Sequence, residues 1–209
     1  YAFDLQAQYI RSHDHGGQTR EIIVDDTGIA TGTVTVRRSV PSPPSVNAYA
    51  LSTNVPLITF SGGKPANTAL LINGVERLAL NASVTWTTTQ TLVEGANVFQ
   101  ISDRNVHGLE SLSVTVPVTL VTVPPPPPVV SVPPEFTSTR TVTLTGSKEA
   151  GTAILVNGTV VVPASNSTTW STTVILEEGT NNLVIESMDS VGNKSLAAGI
   201  GLFISTAVC

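Results

Sequence analysis

The stretch TAILVNGT at residues 152–159 repeats, at an offset of 84, the TALLINGV of residues 68–75. In both, an Asn-Gly pair stands between apolar runs: Asn73–Gly74 and Asn157–Gly158. That pair predicts a two-residue type I′ hairpin, because both central positions need positive φ, which Asn and Gly tolerate. The same offset aligns ITFSGG at 58–63 with VTLTGS at 142–147, SVTWTTT at 83–89 with STTWSTT at 167–173, and LVEGAN at 92–97 with LEEGTN at 176–181. Gly108, Ser111 and Leu112 align with Gly192, Ser195 and Leu196, so the register holds without a gap from Ile58 to Leu112. A repeat of this length is one structural unit written twice.

Each copy reads as β-structure. TVTLTG, TAILVN, TTWSTTVIL and NNLVIES are short, β-branched and partly alternating. EGAN and EGTN mark one corner and DSVGN at 189–193 another. Roughly six or seven strands per copy, with turn signals every 8–12 residues, predict a β-sandwich. Composition agrees. Hydrophobic residues make up 41% and mean hydropathy is +0.23, so there is material for packed cores. Charged residues are only 12%, about half the usual share. Val, Thr and Ser, which suit a pleated and half-buried surface, take their place.

Charge and hydropathy also exclude functions. A net charge of −5 and a pI near 5.1 argue against nucleic acid, which needs a clustered basic face. Arg37–Arg38 is the one local basic pair. No apolar run approaches the length of a membrane-spanning helix, so no membrane insertion is expected. The chain opens on Tyr1 with neither Met nor a charged leader, and so reads as a mature, processed chain or a fragment.

Two proline runs divide the sequence: PSPP at 41–44 and PPPPP at 124–128. Proline has no N–H for a ladder, so both read as polyproline II spacers outside the sheets. The expected organisation is an N-terminal β segment at 1–40, a linker at 41–45, one sandwich at 46–123, a second linker at 124–128 and a second sandwich at 129–209.

The succession of alternating strand, VNG hairpin, TTW, EGTN, strand and D-x-x-GN-x-S resembles the bacterial Ig-like (fibronectin-III-like) modules of secreted and cell-surface proteins. The resemblance covers residues 55–205 or so. It implies an all-β chain of tandem Ig-like β-sandwiches and an extracellular scaffolding role, as a stalk, adhesin part, spacer or subunit of a surface assembly. It supplies no catalytic residues and no cofactor, and the Ig disulfide is missing here.

Segment 1–40 stands apart. YAFDLQAQY places Tyr1, Phe3, Leu5, Ala7 and Tyr9 on one face of a strand and Asp4, Gln6 and Gln8 on the other. REIIVDDTGIATGTVTVRR then resembles the last hairpin of the repeats, as though a third sandwich were present only in its terminal part. Such a piece leaves apolar faces and edges to be covered. Three readings stand open: extra strands on the next domain, a fragment whose earlier strands were removed, or strands completed by a neighbouring copy. The last makes Tyr1, Phe3, Leu5 and Tyr9 an assembly interface, and a head-to-tail contact that does not close into a ring gives a filament.

Candidate chemistry is sparse. His13–Asp14–His15 offers two imidazoles on one side, but His107 is the only further histidine and a solvated turn explains the cluster. Asp25–Asp26, Asp103 and Asp189 are loop carboxylates without a calcium-loop spacing, expected to cap turns. Glu177–Glu178 reads as a solvated pair in a corner. There is no G-x-S-x-G, no phosphate loop and no Ser, His and Asp arrangement, so no enzyme, metal or cofactor is expected. Trp86 and Trp170 are equivalent, either as core residues or as platforms for a sugar. Cys209 is the single cysteine, an inert thiol or an intermolecular disulfide. Asn81, Asn157, Asn166 and Asn193 head N-x-S/T sequons where a glycan could attach. The expectation is a non-enzymatic extracellular structural protein, a homo-polymeric subunit of a surface filament or layer built by strand addition. The alternative is a stalk or a module of an adhesin or secreted enzyme that binds a surface glycan or protein partner.

Overall fold

The structure, a computed structural model, describes residues 19–22, 32–35, 39–131 and 133–205, the first two stretches as backbone. Tyr1, Phe3, Leu5, Tyr9, His13, Asp14, His15, Asp25, Asp26, Arg37, Arg38 and Cys209 lie outside the described residues.

Strands β1 (Thr19–Ile22) and β2 (Gly32–Thr35) pair antiparallel from Thr19↔Thr35 to Ile22↔Gly32. They form a two-stranded sheet to which no other described strand is hydrogen-bonded.

The first repeat contributes β3 (Ser52–Thr53), β4 (Leu57–Gly63), β5 (Thr68–Ile72), β6 (Val75–Asn81), β7 (Thr85–Thr91), β8 (Gly95–Asn105) and β9 (Val114–Leu120). Five of these form a sheet in the order β3-β9-β8-β5-β6, and β4 pairs with β7. Residues 45–47 run along β4, with Ser45 N–H donating to the Gly63 carbonyl at 2.9 Å and Asn47 N–H to that of Ser61 at 2.8 Å.

The second repeat contributes β10 (Val129–Ser131), β11 (Phe136–Thr137), β12 (Thr141–Ser147), β13 (Ala153–Val156), β14 (Thr159–Val162), β15 (Thr169–Ile175), β16 (Gly179–Met188) and β17 (Ala198–Ile204). The sheets are β11-β17-β16-β13-β14 and β10-β12-β15. The chain therefore starts on one sheet, antiparallel to β12, and crosses to the other, where β11 runs parallel to β17. The core joins both layers: Leu144, Trp170 and Leu176 pack with Ile154, Leu183, Ile185, Ile200, Leu202 and Ile204. Each such buried side chain contributes about 1.5–3 kcal/mol.

Among the described residues, backbone proximity groups those up to Asn47 with 60–88 and 99–116 in one compact unit, and 48–59, 89–98, 117–131 and 133–205 in another. That division crosses β4, β7, β8 and β9.

The turns form as the residues require. Asn73 and Gly74 have φ of 52° and 75°, and Asn157 and Gly158 of 51° and 79°. The asparagines do more than turn the chain. Asn73 exchanges hydrogen bonds with Gln100, accepting its N–H on Oδ1 at 2.8 Å, and Asn157 accepts that of Val184 at 2.9 Å. The EGAN and EGTN corners close alike. Asn97 Nδ2 donates to the Val93 carbonyl and Asn181 Nδ2 to that of Glu177, each at 2.8 Å.

Candidate functional site

A proline-led edge segment, a glycine and a tryptophan form the same clasp in each repeat. Pro44 and Pro128 are buried. The chain after each lies so close to β4 or β12 that a Cβ on Gly62 would stand 1.8 Å from the Ser45 carbonyl oxygen, and one on Gly146 1.9 Å from that of Val129. Only glycine permits that approach. Beneath it, Trp86 Nε1 donates to the Ser45 and Gly63 carbonyls at 3.1 and 3.0 Å, and Trp170 Nε1 to that of Ser147 at 3.3 Å. The two indoles are 3% and 4% exposed. A sugar-stacking platform needs an open ring face, so both tryptophans belong to the core and the platform reading of them is withdrawn.

Next to the clasp lies a buried polar cluster. Lys64 Nζ donates to the carbonyls of Thr68 at 2.9 Å and Asn81 at 3.4 Å, and Lys148 Nζ to that of Ser165 at 2.8 Å. Both lysines are buried, their ammonium groups facing backbone oxygens. In the first repeat the cluster also holds Asp103. The sequence placed this residue in a loop, but it lies within β8 and is 0% exposed. Its loop reading fails because the strand runs to Asn105 before the turn begins. Oδ1 accepts a long bond, 3.4 Å, from the Thr68 hydroxyl, and Oδ2 has no hydrogen-bond partner. Burial pushes the carboxyl up to about 6, against the opposing pull of the Thr68 hydroxyl and the Lys64 charge. The equivalent residue of the second repeat is Ser187, whose hydroxyl donates to the Pro126 carbonyl at 2.6 Å.

The remaining candidates are accounted for by local structure. Asp189 Oδ1 accepts the N–H groups of Val191 and Asn193 at 3.0 and 2.8 Å, so it caps its turn as expected. His107 is exposed in the corresponding turn, which Asn105 caps. Glu177 and Glu178 are exposed. Among the described residues no group of three or more His, Cys, Asp and Glu side chains is placed to hold a metal ion. No helix among them is long and apolar enough to cross a membrane.

The four sequon asparagines differ in freedom. Asn166 is exposed in a loop. Asn81 ends β6 and donates from Nδ2 to the Ala79 carbonyl at 2.9 Å. Asn157 is exposed, with Oδ1 tied to Val184. Asn193 is half-buried, and its Nδ2 donates to Asp189 Oδ2 at 2.8 Å and to the Val121 carbonyl at 2.7 Å. A glycan on Nδ2 leaves it a single N–H, so at least one of these bonds would be lost.

One feature escaped the sequence reading. Phe136 on β11 and Phe203 on β17 are register partners on the outside of their sheet, 70% and 38% exposed. Their rings meet edge to face with centroids 5.8 Å apart. An open groove of about 260 Å³ borders them, lined also by Thr137, Ser138 and Ser205. The signal lay in the alignment of the copies, where Ser52 and Thr119 stand at these two positions.

No protein-family model and no curated protein matches the chain. Solved structures do. The fibronectin(III)-like modules of CbhA from Clostridium thermocellum superpose with a TM-score of 0.51 at 14% identity, covering 78% of this chain and 94% of theirs. The FN1–FN3 domains of chicken CNTN1 give a TM-score of 0.45 at 11% identity over 88% of this chain and 77% of theirs. The fold is a fibronectin-III-like, Ig-like β-sandwich.

Proposed function

We propose that this chain is a non-enzymatic extracellular structural protein, a subunit of a surface filament or layer assembled by β-strand addition between copies. The observation that carries this reading is the β1–β2 sheet, two strands with no described strand on either edge. An isolated two-stranded hairpin is marginal in water, and open edges recruit further strands. The alternating apolar face of Tyr1, Phe3, Leu5 and Tyr9 supplies a strand to be donated. Low charge and a surface rich in Thr and Val suit contacts made by ladders and apolar faces.

In this reading two sandwiches, 46–123 and 129–209, follow the N-terminal segment. The proline segments 41–45 and 124–128 join them and set each clasp. The CbhA match covers more of the chain than a single 84-residue repeat, which supports the tandem. The same fold would serve a second reading, a stalk or binding module of an adhesin or larger secreted enzyme. The burial of Trp86 and Trp170 weakens the glycan-contacting form of that alternative.

The test is negative-stain microscopy of the full chain beside the chain lacking residues 1–19. Filaments from the first and single particles from the second are expected. A full chain that stays monodisperse at high concentration ends the filament reading and leaves the stalk or binding module.

A further inference from the structure

The two repeats share core, corners and clasp, yet they differ along the outer face of their last strand. In β9 the inward residues are Val116, Val118 and Leu120, which leaves Thr115, Pro117 and Thr119 outward. In β17 the inward residues are Ile200, Leu202 and Ile204, which leaves Gly199, Gly201 and Phe203 outward. The edge strand beside them changes from Ser52 to Phe136. A polar, filled lane has become two exposed phenylalanines beside a bare glycine trough.

The fold of the second repeat does not ask for these residues. A Cβ at Gly199 would meet nothing within 4 Å, and one at Gly201 only Asn182 Oδ1 at an ordinary 3.6 Å. Neither glycine has a positive φ. Glycine inside a strand weakens it, and Phe136 beside it stays 70% exposed although its ring meets Phe203. An exposed apolar ring over bare backbone that the fold does not require points to a partner.

We infer that Phe136, Phe203 and the Gly199–Gly201 trough are the acceptor for the N-terminal strand, residues 1–9, of a second copy of this chain. This rests on the filament reading above and gives it a location. Residues 1–18 lie ahead of β1, long enough to reach a neighbour, and they carry the alternating aromatic pattern of Tyr1, Phe3, Leu5 and Tyr9. The edge strand β11 spans two residues and, among the described strands, has β17 on one side only, which leaves its outer edge to a further strand. A strand added there sets alternate side chains on the face of Phe136 and Phe203. One of Tyr1, Phe3 and Leu5 then stands directly beside Phe136 and the others on its diagonals, from where the aromatic rings reach toward Phe203 and the trough one strand further in.

The test uses full-length chains. An acceptor variant carries Phe136→Ser and Phe203→Thr, the first repeat's own residues; a donor variant carries Tyr1→Ser, Phe3→Ser and Leu5→Ser. Far-UV circular dichroism controls for folding. An independent acceptor variant, Gly199→Thr with Gly201→Ala, fills the trough and leaves the rings in place. Analytical ultracentrifugation and microscopy are expected to show polymers from the wild-type chain and monomers from each variant alone. An equimolar mixture of donor and acceptor variants should give one-to-one dimers and nothing longer, since each holds one working half. If both acceptor variants polymerise like wild type, this inference is overturned and the filament reading survives. Dimers of the donor variant alone would mean that the patch binds itself, which also overturns it. A wild-type chain that does not assemble ends both.

Discussion

Asp103 and Ser187 occupy the same place in the two repeats, each fully buried on the long strand before the last turn. Each backbone N–H donates to an equivalent serine hydroxyl, Ser111 or Ser195, at 2.9 Å. The side chains part company. Ser187 has a proton to give and gives it to the Pro126 carbonyl of the proline segment. Asp103 when ionised has none, and one of its oxygens is left without a partner. The difference shows that duplication preserved the frame and released single buried positions, so one repeat holds a buried carboxyl where the other has a serine.

The largest expected effect tests whether the frame is the same in both copies. Trp86→Ala and Trp170→Ala should each cost about 3–5 kcal/mol, the usual range for deleting a buried indole. Chemical denaturation followed by far-UV circular dichroism, which reports both repeats, reads it. A small loss at one site alone would show that the two clasps are not equivalent.

Asp103 sharpens the contrast next. Its carboxyl is pushed up to about 6 in the folded chain from an ordinary 3.8, so the folded state holds the proton more tightly than the unfolded one. The stabilisation is therefore fully present below about pH 4 and is lost as pH rises through 6. The whole effect is at most about 3 kcal/mol, from about two pH units of displacement. Denaturation midpoints from pH 4 to 8 should fall in the wild-type chain and stay flatter in Asp103→Ser. Ser187→Asp should impose a similar slope on the second repeat, where Lys148 and Thr152 are buried at the positions of Lys64 and Thr68; a flat profile there would show that burial at the shared position does not by itself raise the carboxyl.

The smallest effect concerns the surface where the copies diverge. Phe136→Ser should shift the stability of the folded chain by no more than about 0.5 kcal/mol, as for most exposed substitutions. Thermal unfolding measures it. A loss several times larger would make the ring pair part of the fold and not a surface held open for a partner.

Much of the architecture was readable because it is local. Asn73–Gly74 and Asn157–Gly158 announce positive φ whatever surrounds them, and the offset of 84 aligns the ends of β4 with β12, β7 with β15 and β9 with β17. Other elements were blurred by packing. β5 is buried on both faces, so TALLI reads as a continuous apolar run without the alternation of a half-covered strand. The proline runs, read as spacers, lead into edge segments that lie on β4 and β12.

The candidate site was the least legible part. Side-chain period tells which residues share a face, but coverage of that face depends on chain far away in sequence. Trp86 is enclosed because residues 45 and 63 pass over it, 41 and 23 positions away. Asp103 is buried because its strand extends further than its turn signal suggests. Phe136 and Phe203 pair across an interval of 67 residues, and only the parallel register of β11 with β17 brings them together. The sequence by itself determined the repeat, the strands and the turns, which depend on neighbours along the chain. Only the tertiary structure decided which polar groups are sealed in and which aromatics are left open, because burial is set by long-range contacts.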